Sequence, residues 1–369
     1  MRAMILAAGY GTRLWPLTID RAKPAIPFLD RPLVGYVAEY LARYGCDEVA
    51  VNLHHQSESV RAALGDGSRF GVRLHYVEEP EILGTSGALD NAREFLEGDT
   101  FVVINGKLAT DIDLNEALET HRRTGALATL ILRPNERRER FSTVQTADGR
   151  VLGFGSAPEI PKESDNVSVL SRLTNSNKRT SSEAETRLRP TERARMNGQD
   201  EEGVGANESD VPLMFTGIQI LEPRIFSYIP RSVFSHTTTD VYPLAIARGE
   251  RIAAHVSKDM WYELSTLERY LSISLTLRAR EGRDLSIGEN SYIEDGADVS
   301  EAVLWENVRI EAGARVRRAV IGAGVRVLAG ESIDNAAVVR AELVQNSARP
   351  PKALEGEFRG ENFVVPLSQ

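Results

Sequence analysis

The strongest constraint on the fold lies near the C-terminus, where three consecutive blocks of seventeen residues align: 293–309 (IEDGADVSEAVLWENVR), 310–326 (IEAGARVRRAVIGAGVR) and 327–343 (VLAGESIDNAAVVRAEL). Glycine recurs at Gly296, Gly313 and Gly330. Apolar residues recur six apart at Ile287, Ile293 and Val299, at Leu304, Ile310 and Val316, and at Ile321, Val327, Ile333 and Val339. A period of six matches neither the 3.6 of a helix nor the 2 of a half-buried strand. It is the spacing of a coil with three short strands per turn, each placing one small or branched residue inside. Seventeen is one short of three hexads, so one corner of each turn has to be tighter than the others.

The first part of the chain has a different rhythm. Short apolar runs at 3–8, 48–53, 72–77, 100–105 and 127–132 read as strands, and helical patterns at 58–64 and 89–96 separate some of them. Pro32 stands where a helix would start, and Leu33, Val37, Tyr40, Leu41 and Tyr44 share one helical face. Asp113 followed by Glu116 resembles a capping-box start for the next helix. Strands alternating with helices predict an α/β fold, Rossmann-like, with a mostly parallel sheet and helices on both faces. From 156 to 211 the chain turns rich in Ser, Asn, Glu and Arg, with one possible short helix near 183–196, and reads as a mobile insertion. The sheet pattern returns at 213–221, and helices are expected at 240–247 and 266–277. The domains expected are therefore 1–280 (α/β), 281–343 (the repeating coil) and 344–369 (a tail).

The net charge of −9 argues against bulk attraction to nucleic acid or an anionic membrane, so an anionic substrate needs local cations. The single cysteine, Cys46, permits no internal disulfide, and no apolar run reaches membrane-spanning length. A cytoplasmic location follows as the expectation. Local cations are present where the first strand ends, in Ala7-Ala8-Gly9-Tyr10-Gly11-Thr12-Arg13. Glycines let backbone N–H groups approach a phosphate, and such loops form anion-binding concavities. Arg13 adds a permanently charged fork, and Lys23 follows ten residues later beside Pro24. A GxG after a strand is weak evidence alone: it is equally a plain turn, or a dinucleotide loop lacking its third glycine.

The whole string LAAGYGTRLWPLTIDRAKP is far more specific. It resembles the signature of sugar-1-phosphate nucleotidyltransferases, with Ala22 in place of the first proline of the usual Pro-Lys-Pro. Leu83-Gly84-Thr85-Ser86-Gly87 resembles that family's second loop, which implies contact with the base and ribose through Gly84, Thr85 and Gly87. Phe215-Thr216-Gly217-Ile218 resembles the strand lining the sugar side, and Trp261 opens a segment similar to Trp-x-Asp-x-Gly. The seventeen-residue blocks resemble hexapeptide-repeat left-handed parallel β-helices. The layout is most similar to mannose-1-phosphate guanylyltransferases. The resemblance implies that Ala7, Ala8, Gly9, Gly11 and Thr12 hold the nucleotide, and that Arg13 and Lys23 handle its phosphates. A sugar 1-phosphate attacks the α-phosphorus and pyrophosphate leaves. A homo-oligomer, formed through the β-helix or the α/β domain, is the expected assembly.

Three departures fall on the chemistry. The resemblance implies Asn-Gly-Asp after the fourth strand, with the Asp on Mg²⁺; here the segment is Asn105-Gly106-Lys107. It implies a Glu-Lys pair on the sugar phosphate; here Phe154-Gly155-Ser156-Ala157 aligns with it. The second metal Asp is Glu263, and the glycine after it is Ser265. A lysine about 4 Å from Mg²⁺ would be repelled by roughly 8 kcal/mol at an effective dielectric of about 20, which puts Mg²⁺ in doubt unless Lys107 turns away. Glu263 remains a candidate metal ligand, and Asp111 a weaker one that more naturally sits near a helix cap. Lys107 can instead face the phosphates. The alternative to an active enzyme is a silent subunit or paralogue that binds nucleotide or nucleotide sugar.

Other candidates carry less. His54 and His55 lack partners at metal-ligand spacing, and Ser57 lacks a His/Asp partner pattern. Hexapeptide coils also occur in acyltransferases that use a histidine base, but all six histidines lie between His54 and His255, outside the repeats. Trp305 and the apolar tail 363–367 can cover coil ends or a partner surface, or equally pack in the core.

Overall fold

The computed structural model describes residues 1–139, 141–155 and 211–368. The expected insertion, with its short helix, lies outside the described residues apart from Val211. Strand β1 (Arg2–Leu6) pairs in parallel with β2 (Glu48–Leu53), and β2 pairs in parallel with β3 (Arg73–Glu78). On its other side β1 pairs in parallel with β4 (Phe101–Asn105). The spatial order β3-β2-β1-β4 is that of a Rossmann half, and its chain reversal lies beside β1.

The second half is mixed. A short ribbon strand β5 (Leu108–Thr110) precedes β6 (Ala128–Pro134), β7 (Thr143–Ala147) and β8 (Arg150–Phe154). Strand β9 (Leu213–Leu221) fills the slot between β4 and β6 and runs antiparallel to both. β10 (Ile252–Val256) is parallel to β6 and antiparallel to β8. The parallel character read from the sequence is thus found in β3-β2-β1-β4 and in the β6–β10 pair, and the other pairings of this sheet among the described residues are antiparallel.

Alternation along each strand explains the two buried faces. Ala3, Ile5, Val49, Val51, Val102 and Ile104 pack on one side with Val37 and Leu41 of helix α1 (Leu33–Arg43) and with Val60 and Leu64 of α2 (Ser57–Leu64). Met4, Ala50, Phe101 and Val103 pack on the other with Leu89 of α3 (Gly84–Asn91) and Leu96 of the short α4 (Arg93–Leu96). The expected helix at 89–96 therefore starts earlier, so the segment read as a second loop forms its first turns. Helix α5 (Leu114–Thr124) is capped by Asp113, whose side chain accepts from the Asn115 amide at 2.8 Å. Helix α6 (Tyr242–Ala247) follows a π-turn at 237–241, and α7 (Leu267–Ala279) is capped by Thr266.

The repeating blocks form the expected coil. Partners lie seventeen residues apart: Asp298 pairs with Arg315 and Arg315 with Ser332, while Tyr292 pairs with Arg309 and Arg309 with Arg326. The tight corner is a single residue. Glu301, Arg318 and Asn335 each hold φ 49° in the middle of a continuous strand, bending it onto the next face. The tail is integral to the domain: Asn362–Pro366 pairs antiparallel with the last strand, 332–340, and covers the exposed edge of the coil. One core cluster joins the two domains. Leu14, Trp15, Leu17, Ile26 and Phe28 of the signature segment pack with Val303, Trp305, Val320 and Phe363 of the C-terminal domain.

Candidate active site

Leu6, Asn52 and Asn105 stand in register at the C-terminal ends of β1, β2 and β4. That end of an open α/β sheet, beside the point where strand order reverses, is where ligands bind. A cavity of about 270 Å³ opens there. Its lining includes Ala7, Ala8, Gly9, Gly11, Lys23, Gly84, Thr85 and Lys107, which sequence reasoning singled out. It also includes Asn52, Glu79, Asn105 and His236, whose roles sequence reasoning missed.

The loop is anchored at its start, where the Ala7 amide donates to Asn52 Oδ1 at 2.7 Å. The next amides, from Ala8 to Arg13, donate to no group among the described residues, so they remain available to an anion. Gly11 has φ +66°, and a Cβ there would lie 2.9 Å from Lys23 Cβ. Only glycine lets the loop pass this close to the lysine. Thr12 lines a neighbouring cavity against the C-terminal tail, and Arg13 is exposed at the loop's end. Lys23 is half-buried at the head of a short 3₁₀ turn, and the preceding Ala22 amide donates to Ser59 Oγ at 2.8 Å.

Lys107 lies in the turn between β4 and β5. β5 pairs antiparallel with β11 (Trp261–Glu263), which sets Glu263 opposite Leu108. The Leu264 amide donates to Lys107 O at 3.0 Å, and Lys107 Nζ reaches Glu263 Oε2 at 2.9 Å. The ammonium therefore points at the carboxylate. Burial and the nearby Lys107 ammonium push the Lys23 pKa down to about 7; Glu263 opposes the shift and Arg13 adds to it. Burial acts to raise the Glu263 pKa, but Lys107, Lys23 and Arg13 together hold it below the ordinary carboxylate value. Three cations and one carboxylate thus form a single electrostatic cluster.

The resemblance implied a protein-held Mg²⁺ at this place, and the donor set does not fit one. The candidate ligand Glu263 is engaged by an ammonium, and a second ammonium lies close by. Asp111 is exposed, and its amide bonds Met260 O at 3.2 Å, at the far end of the β5–β11 ribbon from Glu263. Among the described residues no group of three His, Cys, Asp or Glu could hold a metal.

The other end of the cavity is held by Glu79. It accepts from Asn52 Nδ2 at 2.7 Å and from the Leu83 amide at 3.1 Å. Burial raises its pKa, against the pull of those two donors. At the start of α3, the Thr85 amide donates to His236 Nδ1 at 3.2 Å, and the Ser86 and Gly87 amides donate to Ser235 O at 3.0 and 3.3 Å. The chain itself therefore uses these amides, and Gly87 presents none to a ligand. An amide can only donate, so His236 Nδ1 is the acceptor and the proton sits on Nε2. Gly217 lies behind the cavity: at φ +82°, a Cβ there would fall 2.1 Å from Asn105 Nδ2. Trp261 Nε1 donates to Thr216 O at 3.0 Å, tying β11 to β9. Phe154 stacks on Tyr242 at 6.0 Å, while Ser156 and Ala157 lie outside the described residues.

Comparison with known proteins agrees with this geometry. The nucleotidyl transferase family model matches residues 2–280, and the GlmU-like C-terminal hexapeptide model matches 277–342. The chain is 30% identical over 301 residues to a UTP–glucose-1-phosphate uridylyltransferase of Synechocystis, covering 78% of this chain and 66% of that protein. It is 26% identical over 313 residues to a mannose-1-phosphate guanylyltransferase of Mycobacterium tuberculosis, covering 82% of this chain and 72% of the relative. A solved structure of a putative glucose-1-phosphate thymidylyltransferase from Bacillus anthracis shares the fold at 21% identity, with a TM-score of 0.55, over 78% of this chain and 98% of that one. The chain belongs to the nucleotidyl transferase family and continues into a hexapeptide-repeat region.

Proposed function

We propose that the protein joins a nucleoside triphosphate to a sugar 1-phosphate, releasing pyrophosphate and a nucleoside-diphosphate sugar. The observation that carries this reading is the run of amides from Ala8 to Arg13 that donate to no group among the described residues, with Arg13 at its end and the Lys23 side chain against Gly11. A phosphate oxygen of the sugar 1-phosphate attacks the α-phosphorus. The bond to the oxygen bridging α and β breaks, and pyrophosphate leaves with its electron pair. No proton has to move, so the protein acts by positioning and by neutralising charge. Arg13 and Lys23 carry that charge. Lys107, held on Glu263, adds donors at the same edge of the cavity. Glu79 and the His236 Nε2–H face the nucleoside half, one as acceptor and one as donor.

A second reading has an observation of its own. The Lys107–Glu263 pair occupies the carboxylate that the resemblance implies for the metal, which suits a subunit that binds nucleotide sugar without turnover. Pyrophosphate release from a panel of nucleoside triphosphates and sugar 1-phosphates, with and without Mg²⁺, separates the two. Absence of release together with tight binding of a nucleotide sugar refutes the first reading.

A further inference from the structure

We propose that Arg21, gripped by Trp305 and Glu306 of the β-helix, positions Lys23, so that the C-terminal domain is a working part of the phosphate site. The proposal rests on the reading of the cavity as a nucleotide site. Arg21 lies two residues before Lys23. Its guanidinium sits 4.9 Å over the Trp305 ring, and its Nη1 meets Glu306 at 2.9 Å. Asp20 binds the same guanidinium at 3.2 Å, from the loop side. Stacking on one face and ion pairing at the edge suit a planar guanidinium and fix its orientation.

The grip continues on both sides of Arg21. Trp305 is buried, and its Nε1 donates to Tyr270 Oη at 3.0 Å. Tyr270 Oη in turn donates to Pro27 O at 2.5 Å, just past the 3₁₀ turn that Lys23 begins. Upstream, Trp15 packs edge-on against Phe363 of the tail at 5.5 Å, two residues after Arg13. Both phosphate cations are thus flanked by residues that the C-terminal domain holds. The Arg21–Glu306 pair is partly exposed, so its net worth to folding is small. Its orientation of the loop is what bears on the chemistry, where about 1 Å of misplacement can cost about a hundredfold.

The test uses the full chain with Arg21→Met, Arg21→Lys, Glu306→Gln and the Arg21→Met/Glu306→Gln double variant. Affinity for GTP and for UTP is measured by calorimetry, kcat and KM by pyrophosphate release, and folding by thermal unfolding. Arg309→Gln, which breaks an ion pair with Glu294 elsewhere on the coil, serves as control. The expected result is a loss of kcat/KM of about tenfold to a hundredfold in Arg21→Met and Glu306→Gln, with unfolding unchanged. The double variant is no worse than either single, and Arg21→Lys recovers part of the loss. Variants that bind and turn over like the wild type overturn the proposal. So does a double variant that loses the sum of the singles, or a loss that only tracks a lower unfolding temperature. A wild type that binds nucleotide but releases no pyrophosphate fails the proposed reaction alone, and the affinities then decide about Arg21. A wild type that binds neither nucleotide removes the reading of the cavity, and this proposal with it.

Discussion

Lys107→Asp is the most informative single substitution. In the wild type Lys107 Nζ and Glu263 Oε2 are 2.9 Å apart, which corresponds to an attraction of about 6 kcal/mol at an effective dielectric of about 20. Water screens part of this, because the Lys107 side chain is 30% exposed. Desolvation of Glu263, 10% exposed, offsets more. A hydrogen-bonded charged pair of this kind nets about 1.5–3 kcal/mol. The variant forfeits that and sets two carboxylates against each other, so without metal it should lose about 2 kcal/mol or more of stability. The same two carboxylates, with the oxygens of a triphosphate, make a donor set that suits Mg²⁺. At a Mg²⁺ concentration about a hundredfold above its Kd, binding returns about 2.7 kcal/mol, close to the loss. Denaturant unfolding in EDTA and in Mg²⁺, alongside pyrophosphate release, reads both effects. We expect the variant to be destabilised in EDTA, to regain stability with Mg²⁺, and to release pyrophosphate only with the metal. An identical Mg²⁺ response in wild type and variant, or a variant as stable as wild type in EDTA, refutes the reasoning.

The remaining predictions concern the same cavity. With Lys23 titrating at about 7, the free protein carries its ammonium below that pH and loses it above. Nucleotide kcat/KM should fall as pH rises through about 7, and Lys23→Arg should flatten that limb of the profile. Because the folded pKa lies below the ordinary lysine value of 10.5, the unfolded chain binds more protons between about 7 and 10.5, and this group's contribution to stability rises with pH across that window. Gly217→Ala should lower stability by about 1–2 kcal/mol from the left-handed backbone alone, and the clash with Asn105 should weaken nucleotide affinity as well; calorimetry and denaturant melts check both. His236→Asn keeps an acceptor for the Thr85 amide but loses the reach of Nε2, so nucleotide affinity should drop with unfolding unchanged. His236→Gln should recover part of that affinity, and equal affinities in all three proteins would remove His236 from the site.

Periodicity made most of the architecture legible. The six-residue spacing and the seventeen-residue blocks carried the coil and its one tight corner, which the structure locates at Glu301, Arg318 and Asn335. The glycine string carried the loop, together with Arg13 and Lys23, the proposed phosphate cations. What spacing could not carry were contacts between distant segments. Antiparallel β9 enters the sheet from beyond residue 211, so no local pattern announced its direction. His236 reaches the start of α3 from 151 residues away, and Arg21 meets Trp305 from the other domain. Glu79 and Asn52 look like ordinary residues near strand ends until the sheet brings them together.

Lys107 and Glu263 show why two departures have to be read jointly. The resemblance implies two carboxylates around one divalent ion, which sum to zero charge. A lysine against a glutamate also sums to zero, so the net charge of the pair that meets an incoming triphosphate is the same, with Arg13 and Lys23 supplying the excess positive charge. The coordination differs, however. A metal keeps several open positions for phosphate oxygens, whereas an ammonium has three donors, of which Glu263 already takes one. The substitution therefore preserves ground-state attraction better than it preserves grip on the transition state. Substrate Kd should accordingly be the quantity this site retains, and kcat the quantity it gives up. Lys107→Met tests this: the variant should change nucleotide Kd by a larger factor than it changes kcat, and a loss confined to kcat would show that Lys107 acts on the transition state instead.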